Sequence, residues 1–207
     1  MEALSLILGQ FARLGVVAVL IVFQPEIRRF LLLVGNTLNQ RYYTISTMFR
    51  RGLALDVDAE AMIRQLERVL PIFTASHTGA LIVFTNNLSL QVFSQSGILL
   101  NARLTSQLLE SIFNKESPLH DGAVVVSNNE IFCASCVLPV SESRDLPEGV
   151  GTRHRAAVGI TEGTDMFSII VSEETGKISY ARDGMLTTNV SPERITKVLR
   201  IILENNL

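Results

Sequence analysis

The sequence predicts a mixed α/β domain, one β-sheet covered by helices on both faces, behind an apolar N-terminal segment. Three observations carry that prediction. Short apolar runs of strand length, such as Ala80–Phe84 and Met166–Val171, alternate with stretches whose apolar residues recur every three or four positions. Ala123–Ser127 and Ile131–Leu138 flank Asn128-Asn129, a pair suited to a tight hairpin because Asn tolerates positive φ, so antiparallel pairing is expected as well. A length of 207 residues, 47% of them hydrophobic, allows one sizeable core plus an appendage.

The appendage comes first. From Ala3 to Phe23 only Ser5, Gln10 and Arg13 interrupt the apolar sequence, close to the roughly 20 residues that a helix needs to cross a bilayer. Val16–Phe23 is apolar on every helical face rather than in a stripe, so residues 1–23 are predicted to form a transmembrane helix. Arg13 opposes a lone span, since a central Arg costs roughly 2.5–3.5 kcal/mol on insertion scales, and it is expected to face a neighbouring membrane helix. A buried core helix is the alternative. A secretory signal is disfavoured, because no positive region precedes the apolar run and no small-residue cleavage site follows. Arg28, Arg29, Arg41, Arg50 and Arg51 all follow the segment while only Glu2 precedes it, which places the rest of the chain in the cytoplasm. Residues 24–55 read as an amphipathic connector, with Pro25 in a first turn and a stripe of Ile27, Leu31, Val34 and Leu38. Gly52 and Asp56-Val57-Asp58 mark its end, and Asp58 is the expected N-cap of a globular domain over 56–207.

Within that domain Met62, Ile63, Leu66, Val69, Leu70 and Phe73 share a helical face, and a buried strand follows Gly79. Strands are expected at Leu88–Phe93 and Ile98–Leu104, then a helix over Ser106–Asn114 with Leu108, Leu109, Ile112 and Phe113 as its stripe. After the hairpin a helix starts near Thr152. Strands follow at Met166–Val171, Lys177–Arg182 and Met185–Val190, and Ser191-Pro192-Glu193 opens the last helix with an N-cap and a first-turn proline. No internal repeat or low-complexity segment is present.

The net charge of −2 gives no case for binding polymeric nucleic acid, which relies on neutralising many phosphates. Cys133 and Cys136 lie within one predicted strand, where residues three apart point to opposite faces. They are expected to be two buried thiols, neither a zinc site nor a disulfide, as suits a reducing cytoplasm.

Two short motifs carry the chemistry. Leu119-His120-Asp121-Gly122-Ala123 gathers an imidazole, a carboxylate and a glycine that lets a ligand approach the backbone. Gly151-Thr152-Arg153-His154-Arg155 puts two guanidinium groups at a helix N-terminus, which itself attracts anions. Each motif has a plainer reading. Asp-Gly is a common hairpin signal, although Glu116–His120 does not alternate like a paired strand; a lone His is most often a hydrogen-bonding core residue; and Arg153–Arg155 could form a solvated basic face, although Ala156–Ile160 continues as a packed segment.

On these motifs, with Gln24-Pro25-Glu26 and Val171-Ser172-Glu173-Glu174-Thr175-Gly176, the chain from about Phe23 to Val190 resembles the diadenylate cyclase (DAC) domain family in its membrane-bound bacterial form. The resemblance implies an enzyme that joins two ATP molecules into cyclic di-AMP, with a divalent metal (manganese, magnesium or cobalt), at the cytoplasmic membrane and open to a membrane-bound regulator. The membrane form commonly has three spanning helices, and this chain resembles one that begins at the last of them. Asp121 would activate the attacking hydroxyl, Asp121 and His120 would hold the metal, and Arg153 would clamp phosphate. Thr152, Ser172 and Glu174 match positions that contact the phosphates or metal, and Gly122, Ala123, Gly151, His154 and Arg155 complete the implied ATP site. The base would be read through backbone groups near Leu138-Pro139, while Val137 stands where some members stack an aromatic residue, a departure that weakens base stacking. Each ATP must serve once as nucleophile and once as electrophile, and the chain carries each motif once, so two chains are expected to meet face to face. The competing readings are a metal-dependent phosphohydrolase, which ordinarily needs more carboxylate and His ligands, and a membrane-tethered adenine-nucleotide sensor without turnover.

Overall fold

The computed structural model describes residues 23, 51–85, 93, 96–143, 145–147 and 149–204. The chain divides into two compact units, Met1–Ala54 and Leu55–Leu207, and the sheet lies in the second. Among the described residues no helix is long and apolar enough to cross a membrane. The predicted transmembrane segment and the connector as far as residue 50 lie outside the described residues, save for Phe23, an exposed turn residue.

The described elements, in chain order, are α1 (Arg51–Ser76), β1 (Ala80–Phe84), β2 (Ile98–Arg103), α2 (Ser106–Ile112), β3 (Ala123–Ser127), β4 (Glu130–Cys136), α3 (Thr152–Thr161), β5 (Phe167–Val171), β6 (Ile178–Arg182), β7 (Met185–Val190) and α4 (Pro192–Glu204). Among the described residues seven strands form one sheet in the order β2-β4-β3-β1-β5-β6-β7. In it β1 and β3 pair in parallel, and every other neighbouring pair is antiparallel. The mixed sheet predicted from the sequence is therefore present.

Its strands bury both faces. Along β1, Ala80, Ile82 and Phe84 join one core, while Leu81 and Val83 join the other, the two-residue period of a strand dividing a continuous apolar run between two layers. Helices α1, α2 and α4 cover the first face through residues such as Leu66, Leu70, Leu109, Ile195 and Leu199. Helix α3 covers the second through Ala157, Val158 and Ile160. Phe73 and Phe113 meet edge-on with centroids 5.7 Å apart, tying the end of α1 to that of α2.

Local signals set several boundaries. Thr105 caps α2 by accepting from the Leu108 amide at 3.2 Å, and Ser191 does the same for α4, its hydroxyl accepting from the Arg194 amide at 3.3 Å. The hairpin turn has φ of 49° at Asn128 and 62° at Asn129, the paired positive values that a two-residue turn requires.

Three expectations are corrected. Helix α1 is already formed at Arg51, so Asp58 lies inside it and is not an N-cap. The helix formers Leu53, Ala54 and Leu55 carry the i→i−4 ladder through Gly52, whose cost of about 1 kcal/mol one residue can impose without ending a 26-residue helix. Phe93 is helical and buried rather than the end of a strand, and the rest of 88–92 lies outside the described residues. Cys133 and Cys136 do not point to opposite faces; both sit in the α3-side core. The β3–β4 register slips twice across this stretch, and Ser135 takes a φ of 56°, so the bulges cancel the simple alternation. Both thiols are nonetheless free and buried, as expected.

Leu66 is fully buried at the centre of the α1 face. Leu66→Ala is expected to cost about 2–5 kcal/mol of unfolding free energy, because the fixed sheet beneath it cannot collapse into the cavity. Urea denaturation followed by circular dichroism checks this; a loss below about 1 kcal/mol would show that α1 is less firmly seated.

Candidate active site

The amino ends of β1 and β3, the carboxyl end of β5 and the N-terminus of α3 come together at one end of the sheet. This reverses the general rule that open α/β sheets bind ligands at the carboxyl ends of their parallel strands. The reason is α3. Its N-cap, Gly151, offers no side-chain bond to the first turn, so the positive end of the helix and its free amides open toward this edge.

Two adjoining grooves share that edge. The first, about 430 Å³, is lined by Asp121, Gly122, Ala123, Leu138, Thr152 and Arg153, with Leu81, Val137 and Val140 forming an apolar wall. Val137 is 74% exposed, an open apolar shelf at the edge of this groove. The second groove, about 540 Å³, is lined by Gly151, Thr152, Arg153, His154, Ser172 and Glu174, together with Lys177. Sequence-predicted residues thus gather in two neighbouring compartments joined by Thr152 and Arg153. His120 and Arg155 line neither. The backbone carbonyl of Arg155 instead accepts from the Ser141 amide at 3.0 Å, holding the loop after β4 against α3.

Gly122 is dictated twice over. Its φ is +103°, and a Cβ would stand 2.8 Å from the Ser135 carbonyl carbon, a backbone atom that cannot swing away. Only glycine lets the Asp121 loop enter β3 so close to the β4 bulge. Asp121 itself is exposed on the groove. His120 beside it is half-buried and donates from Nδ1 to the Ser117 carbonyl at 2.6 Å, which leaves Nε2 as the ring's acceptor. Metal-binding histidines are commonly oriented in this way, one ring nitrogen held by a carbonyl and the other free to bind.

Sequence reasoning missed Glu173. Arg153 Nη1 donates to Glu173 Oε2 at 2.8 Å, while Glu174, singled out from the same motif, lines the second groove. Arg153, through this hydrogen bond and its charge, holds the Glu173 carboxyl below its ordinary range. The second motif is thereby tied to the Ser172–Gly176 turn. The turn is pinned in place, with Gly176 donating to the Ser172 carbonyl at 2.9 Å and His77 Nδ1 donating to the Glu174 carbonyl at 3.3 Å. No sequence signal separated Glu173 from Glu174, because both follow β5 and only the path of the turn decides which one meets α3.

An anion-attracting helix end, a carboxylate beside an imidazole and an apolar shelf are the parts of a nucleotide-binding site. Residues 68–186 match the DAC family model, described as DisA bacterial checkpoint controller nucleotide-binding. The chain is 37% identical over 206 residues to the cyclic di-AMP synthase CdaA of Bacillus subtilis, a match covering 100% of this chain and 72% of that protein. It is 38% identical over 199 residues to a diadenylate cyclase of Listeria monocytogenes, covering 96% and 70%. Among solved structures, a double mutant of DacA from Staphylococcus aureus superposes with a TM-score of 0.68 at 38% identity, covering 70% of this chain and 97% of that one. A protein described as a hypothetical membrane spanning protein from Bacillus cereus matches with a TM-score of 0.59 at 38% identity, covering 83% and 80%. The chain belongs to the DAC family, the diadenylate cyclases.

Burial pushes the His154 imidazole below its ordinary value. The unfolded chain takes up a proton near pH 6.5 that the folded chain resists, so the stability associated with neutral His154 is present above that pH and lost as pH falls below it. The melting temperature of the wild type is expected to drop more steeply between pH 7.5 and 5.5 than that of His154→Gln; parallel curves would show that His154 titrates alike in both states.

Proposed function

We propose that this chain condenses two ATP molecules into one cyclic di-AMP and two pyrophosphates, with Asp121 and Arg153 at the reacting centre. The observation that carries this reading is the convergence of Asp121, Thr152 and Arg153 on one groove that opens beside a second, polar one. Adenosine fits the first groove, its base against Leu138 and Val137 and its ribose near Gly122 and Ala123. The triphosphate runs into the second, along the α3 N-terminus past Thr152, Ser172 and Glu174. A lone apolar cleft would accommodate the base alone, and a lone basic patch would not distinguish a nucleotide from phosphate.

The reaction joins the 3′-oxygen of each ATP to the α-phosphorus of the other while the bond to the β-phosphate oxygen breaks and pyrophosphate leaves. In this reaction Asp121, which lines the first groove, takes the hydroxyl proton or orients its oxygen. Arg153 and the α3 amides offset charge on the phosphate that is attacked. His120, through Nε2, and Asp121 fit a hard divalent cation shared with phosphate oxygens, since such ions commonly take only one or two protein ligands beside a substrate phosphate. When bound, such a cation would acidify the hydroxyl and draw charge from the leaving pyrophosphate. Among the described residues no three His, Cys, Asp or Glu side chains are grouped as a closed metal cage.

Two copies, facing each other through the Asp121 and Arg153 surfaces, complete the reaction, because a single site holds one ATP. The domain boundary falls at 56, the cyclase domain spans 56–207, and the N-terminal 1–23 segment and its connector anchor the domain to the cytoplasmic membrane. The length of the apolar run and the membrane-spanning description of the Bacillus cereus neighbour support that placement.

Incubation with ATP and manganese, followed by nucleotide chromatography, tests the reading. Cyclic di-AMP is expected; ADP or AMP would identify a phosphohydrolase, and unchanged ATP a sensor. Asp121→Asn keeps the shape but removes the proton acceptor and a charge, so it is expected to abolish cyclisation while ATP binding stays within a few-fold. Mixed with wild type in excess, it should suppress activity by forming mixed pairs, and specific activity should fall on dilution. Constant specific activity down to monomer concentrations would overturn the facing pair. Removal of residues 1–50 is expected to leave a soluble, folded domain by size-exclusion chromatography, whereas the full chain partitions into detergent; aggregation of the shortened chain would show that the boundary is misplaced.

A further inference from the structure

Arg153 can grip phosphate in a fixed geometry only if its long side chain is held in one pose, and the fold supplies a seat for it. The guanidinium lies over Gly79, the buried residue immediately before β1. A Cβ at Gly79 would stand 2.5 Å from Arg153 Nη1, 3.0 Å from Glu173 Cβ and 3.0 Å from Glu173 Oε2. No real side chain tolerates the first of these separations, so any residue larger than glycine there must push the Arg153–Glu173 pair off its seat. Backbone conformation does not explain the glycine, because Gly79 is not among the residues with positive φ. Its neighbours do: the three atoms nearest the missing Cβ belong to the phosphate-binding Arg and its carboxylate partner.

Glu173 completes the arrangement. The bond from Nη1 to its carboxylate uses one of the donors of the fork and fixes the guanidinium plane, leaving the remaining N–H groups for a phosphate oxygen. The Arg153 side chain is 22% exposed and lines both grooves, while Glu173 is 54% exposed at their junction. The pair is therefore a local device at the site, outside the two apolar cores that hold the fold.

We propose that Gly79 and Glu173 are positioning residues for Arg153: the absent side chain at Gly79 makes room for the guanidinium at the amino end of β1, and Glu173 holds it there, pre-set for the triphosphate. The proposal rests on the reading of Arg153 as the phosphate clamp. It adds a determinant in the short turn between α1 and β1, far in sequence from either motif, and it explains why that turn must be bare at this point.

The test is a mutant cycle on the full chain, with α,β-methylene-ATP binding read by calorimetry and KM and kcat measured with ATP. Gly79→Ala and Glu173→Ala are each expected to weaken analogue binding and raise KM by about five- to tenfold with little change in melting temperature, because the one severe contact at Gly79 is with the flexible end of Arg153, Glu173 Cβ at 3.0 Å has only a small shift to make, and the Glu173 carboxylate is largely exposed. In an Arg153→Ala background, Gly79→Ala is expected to change binding by less than about twofold, since it acts through a guanidinium that is no longer there. A structural role would cost the same factor in both backgrounds, and that result overturns the proposal, as does wild-type binding by a folded Gly79→Ala. If Gly79→Ala fails to fold, the Glu173→Ala and Arg153→Ala cycle decides the same question: additive losses refute positioning and non-additive losses support it. Failure of the clamp and failure of the seat give different results. Arg153→Ala that binds the analogue like wild type removes the clamp itself, whereas weak binding by Arg153→Ala beside a silent Gly79→Ala removes only the seat.

Discussion

Everything in this domain depends on burying β1 from both sides at once. Its five residues are fully enclosed, with Ala80, Ile82 and Phe84 in one core and Leu81 and Val83 in the other. A strand with no solvent face must be covered by helices above and below, and its backbone groups must pair on both edges, here with β3 and β5. Once β1 is fixed, α1 leading into it and α3 lying over it are fixed as well. The amino end of β1 then becomes the point from which the site is measured.

The edge that carries the candidate site is assembled from chain ends that the sheet brings level. Asp121 enters β3, Glu173 leaves β5, Gly79 enters β1, and α3 aims its first turn at all three. Because β3 and β1 run parallel while β5 runs against them, two strand starts and one strand end meet at the same height. A purely parallel sheet would have put only like ends together. The mixed sheet lets a carboxylate from a strand-entry loop and a carboxylate from a strand-exit turn share one arginine's neighbourhood. The arginine's pull is felt at the Glu173 carboxyl, which Arg153 holds in its charged form.

Glycines do two different jobs at this edge. Gly122 is required by its backbone, since φ of +103° and a carbonyl carbon 2.8 Å from the absent Cβ exclude any side chain. Gly79 is required by its neighbours, which are side chains of the site itself. In sequence both are single glycines beside an apolar strand. The first could be recognised because Asp-Gly is a turn signal, whereas the second sits in His77-Thr78-Gly79-Ala80 with nothing to mark it.

Most of the architecture was legible in the sequence, because strands and helices here are written in periodicity. The runs at Ala80–Phe84 and Phe167–Val171, the Asn128-Asn129 turn and the Ser191-Pro192 helix start all appear where pattern and capping chemistry put them. The two chemical motifs were also legible as local groupings, although the grooves take only part of each: Asp121, Gly122 and Ala123 of the first, and Gly151 to His154 of the second, while His120 and Arg155 line neither. What the sequence could not decide were matters of competition and of distance. Asp58 had the chemistry of a cap, but the surrounding helix formers carried α1 past it. Strand alternation put Cys133 and Cys136 on opposite faces, but two bulges opposite β3 returned them to the same one. Glu173 and Glu174 were equivalent in sequence until the Ser172–Gly176 turn gave Arg153 to one of them. Local pattern determined which elements exist; only the packed sheet decided which residues, as far apart in sequence as Gly79 and Arg153, would touch, because contact across the fold is set by register and close packing, and neither is written in any single segment.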